Sequence, residues 1–223
     1  MKNNVQLVPS LLAFNITDWK YYFNQFHENG IKYVHFDVMD YKYVNNIAYN
    51  ENDFQTFLNN NNNLKVHVHL MVLDPLNEFK KYLSNQTESI CFHFDVFSNS
   101  DDVLKTIREI KKYNIKAGIA INPNFRIKDY EIYLKECEFI TVMGVYPGKG
   151  GQSFEYDCLN NLSAIINWSK ENNHEFLIEI DGGMNFQTIP LVIKNSKFIV
   201  SGSFLEQNLQ SLSDIVKWIK NLA

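Results

Sequence analysis

The amino-acid sequence predicts a (β/α)8 barrel, the TIM-barrel architecture, spanning residues 1–223 as one domain. Three observations carry this. The chain has 223 residues, close to the usual length of a single α/β barrel. Short apolar runs alternate with amphipathic stretches from end to end, the pattern of repeated strand–helix units around a parallel sheet. After the first strand the chain reads Ser10-Leu11-Leu12 where an open dinucleotide-binding sheet would carry a glycine-rich turn, so closure into a barrel is favoured.

The strands are expected at Gln6–Leu12, Lys32–Met39, Lys65–Met71, Ser89–Asp95, Lys116–Asn122, Glu138–Met143, Glu175–Asp181 and Lys197–Ser201. The first helix shows Trp19, Tyr22, Phe23 and Phe26 at i, i+3, i+4 and i+7, behind the capping candidates Thr17 and Asp18 and ahead of Gly30 as a stop signal. Leu104, Ile107 and Ile110 form a similar stripe, as do Cys158, Leu162, Ile165 and Ile166, and finally Leu212, Ile215, Val216, Ile219 and Leu222. The polar run Asn59–Asn63 is too short for a domain linker and reads as a solvated loop at the bottom of the barrel.

Composition narrows the function. A formal charge of −4 argues against nucleic acid and anionic membranes as partners, so an anionic substrate must be gripped by local groups. Cys91, Cys137 and Cys158 are odd in number and scattered, which favours neither a disulfide framework nor a zinc–thiolate site. Met1–Ser10 lacks the apolar stretch of a signal peptide, and no run of about 18 apolar residues exists to cross a bilayer. The expectation is a soluble, cytoplasmic protein.

Chemistry in such a barrel gathers at the C-terminal ends of the strands. The two-residue strand period aims His35, Asp37 and Met39 to one side of the second strand, and Val34, Phe36 and Val38 to the other. In the third strand His67, His69 and Met71 alternate with Val66, Val68 and Leu70; in the seventh, Glu179 and Asp181 alternate with apolar residues. Buried carboxylates and imidazoles converging on one end need a common partner, and a divalent metal supplies it. His35, Asp37, His69 and Asp181 form a two-His, two-carboxylate set suited to zinc, iron or manganese, and too rich in nitrogen for calcium or magnesium. Each residue alone has a plainer explanation as a core histidine or a helix cap; four together do not. His67 lies one pleat deeper and reads as part of a polar layer, and Glu179, beneath Asp181, as a group that orients a ligand. Met39, Met71 and Met143 end inward positions, either as adaptable filler or as a polarisable wall around a planar intermediate.

A phosphate site is expected at the late strand ends, at Gly182 and Gly183 after the seventh strand and at Gly202 and Ser203 after the eighth. Glycine there admits close approach of backbone N–H groups, and a short helix would begin near Ser203. Tyr146–Ser153 is too glycine-rich for a helix and long enough to fold over the mouth as a lid, with a flexible connector as the plainer alternative. Lys149 within it either touches phosphate or is solvated.

At these residues the chain resembles the ribulose-phosphate 3-epimerase family, from Val8-Pro9-Ser10-Leu11-Leu12 to Ser201-Gly202-Ser203. The most specific matches are His35-Phe36-Asp37-Val38-Met39-Asp40, Val68-His69-Leu70-Met71-Val72, Asn122-Pro123, Pro147-Gly148-Lys149-Gly150-Gly151-Gln152-Ser153-Phe154 and Glu179-Ile180-Asp181-Gly182-Gly183. The resemblance implies one divalent metal on the four ligands above, Asp37 and Asp181 as the acid/base pair, and Ser10 and His69 beside the substrate. It also implies contacts to a small phosphorylated ketose at Gly148, Lys149, Gly150, Gly151, Gly182, Gly183, Gly202 and Ser203, and a homo-oligomer. The implied reaction interconverts D-ribulose 5-phosphate and D-xylulose 5-phosphate in the pentose phosphate pathway. The alternatives are a six-carbon ketose-phosphate 3-epimerase acting on allulose 6-phosphate, or a catalytically silent phosphate-binding barrel. A Schiff-base aldolase is disfavoured, because Lys32, Lys65, Lys116 and Lys197 open strands rather than close them. Departures from the family pattern cluster in loops: Tyr41 and Asn45 stand at a usual Gly and Pro, Gly144 at a small hydroxyl residue, and Lys149 at a lid Phe.

Overall fold

The computed structural model describes residues 5–61 and 63–223. Positions 1–4, which open the Met1–Ser10 stretch, and position 62, within the Asn59–Asn63 run, lie outside the described residues. Eight parallel strands form one sheet: β1 (Gln6–Pro9), β2 (Tyr33–Met39), β3 (Lys65–Met71), β4 (Thr87–His93), β5 (Lys116–Ile121), β6 (Phe139–Met143), β7 (Leu177–Asp181) and β8 (Phe198–Ser201). The order is β1-β8-β7-β6-β5-β4-β3-β2, and a bridge from Ser10 to His35 brings the first strand back against the second, making the (β/α)8 barrel.

Helices α1 (Trp19–Glu28), α2 (Glu51–Asn60), α3 (Pro75–Glu78), α4 (Ser100–Lys111), α5 (Ile127–Leu134), α6 (Cys158–Asn172), α7 (Ile189–Val192), α8 (Ser203–Gln207) and α9 (Leu212–Leu222) follow the strands. Their apolar stripes bury largely as the periodicity requires: Tyr22, Ile166 and Leu222 at the stripe edges are half-buried, and α4 is slightly rotated, burying Val103, Thr106, Ile107 and Ile110 and leaving Leu104 half-buried. No helix among the described residues is long and apolar enough to cross a membrane.

Three strands end earlier than the sequence predicts, β5 by a single residue at Ile121. β1 stops at Pro9, and Leu11–Ala13 tightens into a 3-10 turn; β4 stops at His93, and Phe94–Val96 does the same. Both segments are short, and their apolar residues read alike in strand or turn. The expected caps also shift. Asp18 precedes α1 without a side-chain capping bond, while Asn15 accepts the Thr17 N–H and caps the preceding 3-10 turn.

The outer core, between sheet and helices, is unusually aromatic. Trp19, Phe23 and Phe26 of α1 meet Phe36 of β2, Phe54 and Phe57 of α2, and Tyr82, all fully buried or nearly so. These large side chains anchor α1 and α2 against β2 and so fix the strand that carries His35 and Asp37.

The barrel interior is layered. At the bottom Tyr33, Phe139 and Phe198 surround His67, with ring centroids 4.5–5.1 Å from its imidazole. Above lies the polar layer: His67 Nδ1 is 2.6 Å from Glu179 Oε2, His35 Nδ1 is 3.3 Å from Glu179 Oε1, and Thr141 Oγ1 is 3.2 Å from both Glu179 Oε1 and Cys91 Sγ. Burial alone would raise the Glu179 pKa, but the charges of His67 and His35 outweigh it and hold the carboxylate far below its usual range.

The interior closes tightly at Gly118 of β5. A Cβ there would sit 1.5 Å from the backbone oxygen of Phe139 on β6. Gly118→Ala therefore forces β5 from β6 or displaces the Phe139 plug, and an unfolding cost above about 3 kcal/mol is expected, as for other severe overpacking. Urea denaturation measures it; a cost below about 1 kcal/mol would show that the barrel yields easily here.

Candidate functional site

Side chains from β2, β3 and β7 converge at the top of the polar layer. His35 Nε2 lies 3.3 Å from Asp37 Oδ1 and 3.5 Å from Asp181 Oδ2; His69 Nδ1 lies 3.3 Å and 3.5 Å from the same two oxygens. The two imidazole nitrogens are 3.4 Å apart. All four donor atoms fall within 4.8 Å of one another. Strand parity explains the convergence: Asp37 pairs with His69 in the register of β2 and β3, and Asp181 arrives from β7 across the top of Glu179.

These distances fit a divalent cation. A tetrahedron with metal–ligand bonds of about 2.1 Å has edges of about 3.4 Å, and five of the six edges here measure 3.3–3.5 Å. The electrostatics point the same way. Desolvation opposes a charge on buried His35, yet the nearby carboxylates of Asp37, Asp181 and Glu179 raise its pKa well above the usual imidazole value. His69 is raised too, as hydrogen bonds to Asp181 and Asp37 outweigh its desolvation. Asp37 is driven far down by His35 and His69, against the desolvation that would raise it. The nest of carboxylates attracts positive charge strongly, whether protons or a metal supply it.

Asp37 and Asp181 form the floor of a cavity of about 580 Å³ at the C-terminal mouth of the barrel; His35 and His69 are fully buried just below it. Met39, Met71 and Met143 line the same cavity and are 4%, 2% and 2% exposed, so the three form a wall of the cavity as well as core packing. Ser10 enters from the end of β1, and its hydroxyl donates to Asp37 Oδ2 at 2.9 Å. Gly182, Gly183, Gly202 and Ser203 line the side of the cavity just past the C-terminal ends of β7 and β8, and α8 begins at Ser203 as expected.

The segment Tyr146–Ser153 crosses the mouth. Asn46 Nδ2 donates to the Gly148 carbonyl at 2.7 Å, and Gln152 Nε2 donates to the carbonyls of Tyr146 and Lys149 at 2.7 and 2.8 Å. Gly148, Lys149, Gly150 and Gly151 face the cavity along this segment, and a Cβ on Gly151 would lie 3.6 Å from Ser203 Oγ. Lys149 is exposed and also lines a second opening of about 560 Å³ beside Tyr43 and Asn122.

Two departures acquire a physical meaning. Gly144 has no room for a hydroxyl side chain, since a Cβ there would lie 2.4 Å from the Gly182 carbonyl and 2.9 Å from the Phe154 ring. Its N–H donates to the backbone carbonyl of Asp181 at 2.6 Å, joining the segment after β6 to the end of β7. Tyr41 adopts φ +64°, the left-handed region where glycine is at ease, and the residue is 61% exposed.

One participant was not anticipated. His93, at the end of β4, is fully buried with its Nε2 2.9 Å from His69 Nε2. Burial and the neighbouring His69 push its pKa well below the usual value. Strand parity with Ser89 and Cys91 aims it inward, which is the signal that could have found it.

The chain is similar to known proteins over nearly its whole length. The profile described as the ribulose-phosphate 3 epimerase family matches residues 6–205. The ribulose-phosphate 3-epimerase of Treponema pallidum is 29% identical over 216 residues, covering 95% of this chain and 96% of its own. That of Mycoplasma genitalium is 31% identical over 201 residues, with 88% of each chain covered. Among solved structures, a mutant tryptophan synthase alpha-subunit from Pyrococcus furiosus superposes with a TM-score of 0.67 at 9% identity, over 99% of this chain and 98% of that one. This last likeness speaks to the fold alone.

Proposed function

Since the chain belongs to the ribulose-phosphate 3-epimerase family and is an isomerase, we propose that it interconverts D-ribulose 5-phosphate and D-xylulose 5-phosphate by moving a proton at C3. The observation that carries the reading is the meeting of Asp37 and Asp181 on the floor of a cavity that also presents glycine-rich strand ends.

Inverting a carbon beside a ketone removes a proton from one face and returns one to the other, which requires two acid/base groups arriving from different directions. Asp37 comes from β2 and Asp181 from β7, with β1 and β8 between them around the barrel. Each has one oxygen in the four-residue cluster, leaving the other for the substrate side; on Asp37 that oxygen accepts from Ser10 at 2.9 Å. Ser10 thus holds the Asp37 carboxylate in place. His35, Asp37, His69 and Asp181 would hold a divalent cation, which when bound supplies positive charge beside the oxygens of the ene-diolate. Met39, Met71 and Met143 exclude water from the planar species and are polarisable enough to pack against it. Gly182, Gly183, Gly202 and Ser203 present backbone to the phosphate, and the lid backbone around Gly150 and Gly151 closes over the same end.

The test is turnover of ribulose 5-phosphate in heavy water by metal-loaded protein, read by NMR at C3. Formation of xylulose 5-phosphate with solvent deuterium at C3 is expected. Faster turnover of allulose 6-phosphate would move the assignment to a six-carbon substrate, and bound metal without any exchange would leave a silent binding barrel.

A further inference from the structure

His93 lies outside every role derived above, yet it touches a site residue directly. Its Nε2 is 2.9 Å from His69 Nε2, with the two rings 5.0 Å apart and tilted by 34°. His69 turns its other nitrogen, Nδ1, into the four-residue cluster. A neutral imidazole that offers a lone pair from Nδ1 must carry its hydrogen on Nε2, and that hydrogen needs an acceptor. His93 Nε2 stands where the acceptor must be. The hydrogen of His93 is then on Nδ1, a buried atom without a hydrogen-bond partner among the described residues. An unpaired buried donor is destabilising, so packing alone would be better met by an apolar side chain. The imidazole is also prevented from swinging away. The Tyr43 ring lies over it at 4.8 Å and 33°, and the Tyr43 hydroxyl is held 3.1 Å from Asp95 Oδ1 and 3.3 Å from Asn122 Nδ2.

We propose that His93 is a positioning residue: by accepting the Nε2 hydrogen of His69, it fixes the tautomer and ring orientation that point His69 Nδ1 at a bound cation. The inference rests on the reading of the four-residue cluster as a metal site. Metal-ligating histidines are commonly oriented by a carboxylate or a backbone carbonyl. A neutral imidazole does the same work without adding another negative charge beside Asp37, Asp181 and Glu179.

The experiment uses the full chain, stripped of metal and titrated with zinc ions, with zinc affinity read by chelator competition and ring nitrogens read by NMR in the zinc-loaded protein. In the unmodified chain, zinc should shift His35 and His69 together, and His69 should show a slowly exchanging Nε2–H. His93→Leu, which fills the space without an acceptor, should weaken zinc binding by roughly 10–100-fold, as loss of an orienting partner does elsewhere. His93→Gln, whose side-chain oxygen restores an acceptor, should recover most of that affinity. Should His93→Leu fail to fold, the His69 tautomer in the unmodified chain and the affinity of His93→Gln still decide. Zinc binding of normal strength in His93→Leu, a hydrogen on Nδ1 of zinc-bound His69, or a folded His93→Gln that binds zinc no better than His93→Leu would each overturn the proposal while leaving the metal site intact. Zinc that binds without moving His35 and His69 would instead remove the metal reading, and the proposal with it.

Discussion

Asp37→Asn and Asp181→Asn are each expected to reduce epimerisation by roughly 10²–10⁴-fold, the usual contribution of a positioned acid/base group, while the protein stays folded. Asparagine matches aspartate in shape and its carbonyl oxygen can still ligate a cation, so the change acts mainly on the proton. The two variants should also differ from each other. If Asp37 and Asp181 serve opposite faces of C3, each variant retains one working base, and that base can still exchange the C3 hydrogen of the epimer that faces it. Asp37→Asn should then wash deuterium into one ketose phosphate and Asp181→Asn into the other, with neither giving net conversion. Metal content measured on both variants separates loss of the base from loss of the cation. Near-normal conversion in either, or exchange confined to the same epimer in both, would refute the two-base arrangement.

Much of the fold was legible because strand parity and helix periodicity are local. The inward positions of β2, β3 and β7 could be read residue by residue, and His35, Asp37, His69 and Asp181 meet within 4.8 Å as that parity requires. The ends of β1 and β4 were not legible. Leu11-Leu12 and Phe94-Asp95 read as continuations of the strands, yet they lie in the 3-10 turns Leu11–Ala13 and Phe94–Val96.

The site was legible in its charged members and illegible where loops assemble it. Tyr43 reaches His93 because Asp40 gathers the β2 and β3 loops: its Oδ1 accepts from the N–H groups of Lys42 and Tyr43 at 2.9 and 3.0 Å, and its Oδ2 from Leu73 at 2.9 Å. Nothing in the spacing of these residues announces that knot. His93 is hidden in the sequence for a different reason. The inward side of β4 carries Ser89 and Cys91, which lack the charge that drew attention to the other strands, and one imidazole among them reads as ordinary core.

Removing the divalent cation with a chelator is expected to lower turnover by roughly three orders of magnitude, corresponding to several kcal/mol of lost charge stabilisation, and the recovery of metal should depend steeply on pH. In the metal-free protein the carboxylates of Asp37, Asp181 and Glu179 overcome the desolvation of His35 and raise its pKa well above the ordinary value of about 6.5. A cation must displace that proton. Between about pH 6.5 and the folded pKa of His35, metal affinity should therefore rise by roughly tenfold per pH unit for each proton released. Asp37 adds nothing to this slope, because it is already ionised throughout the range. The stability of the metal-free protein runs the other way. A raised folded pKa contributes stability that is fully present below the unfolded value and fades as pH climbs through the folded one. The gap in Tm between zinc-loaded and metal-free protein should accordingly widen as pH rises from 6.5 to 8.5. A gap that stays constant or narrows would show that protons and the cation do not compete for the same cluster.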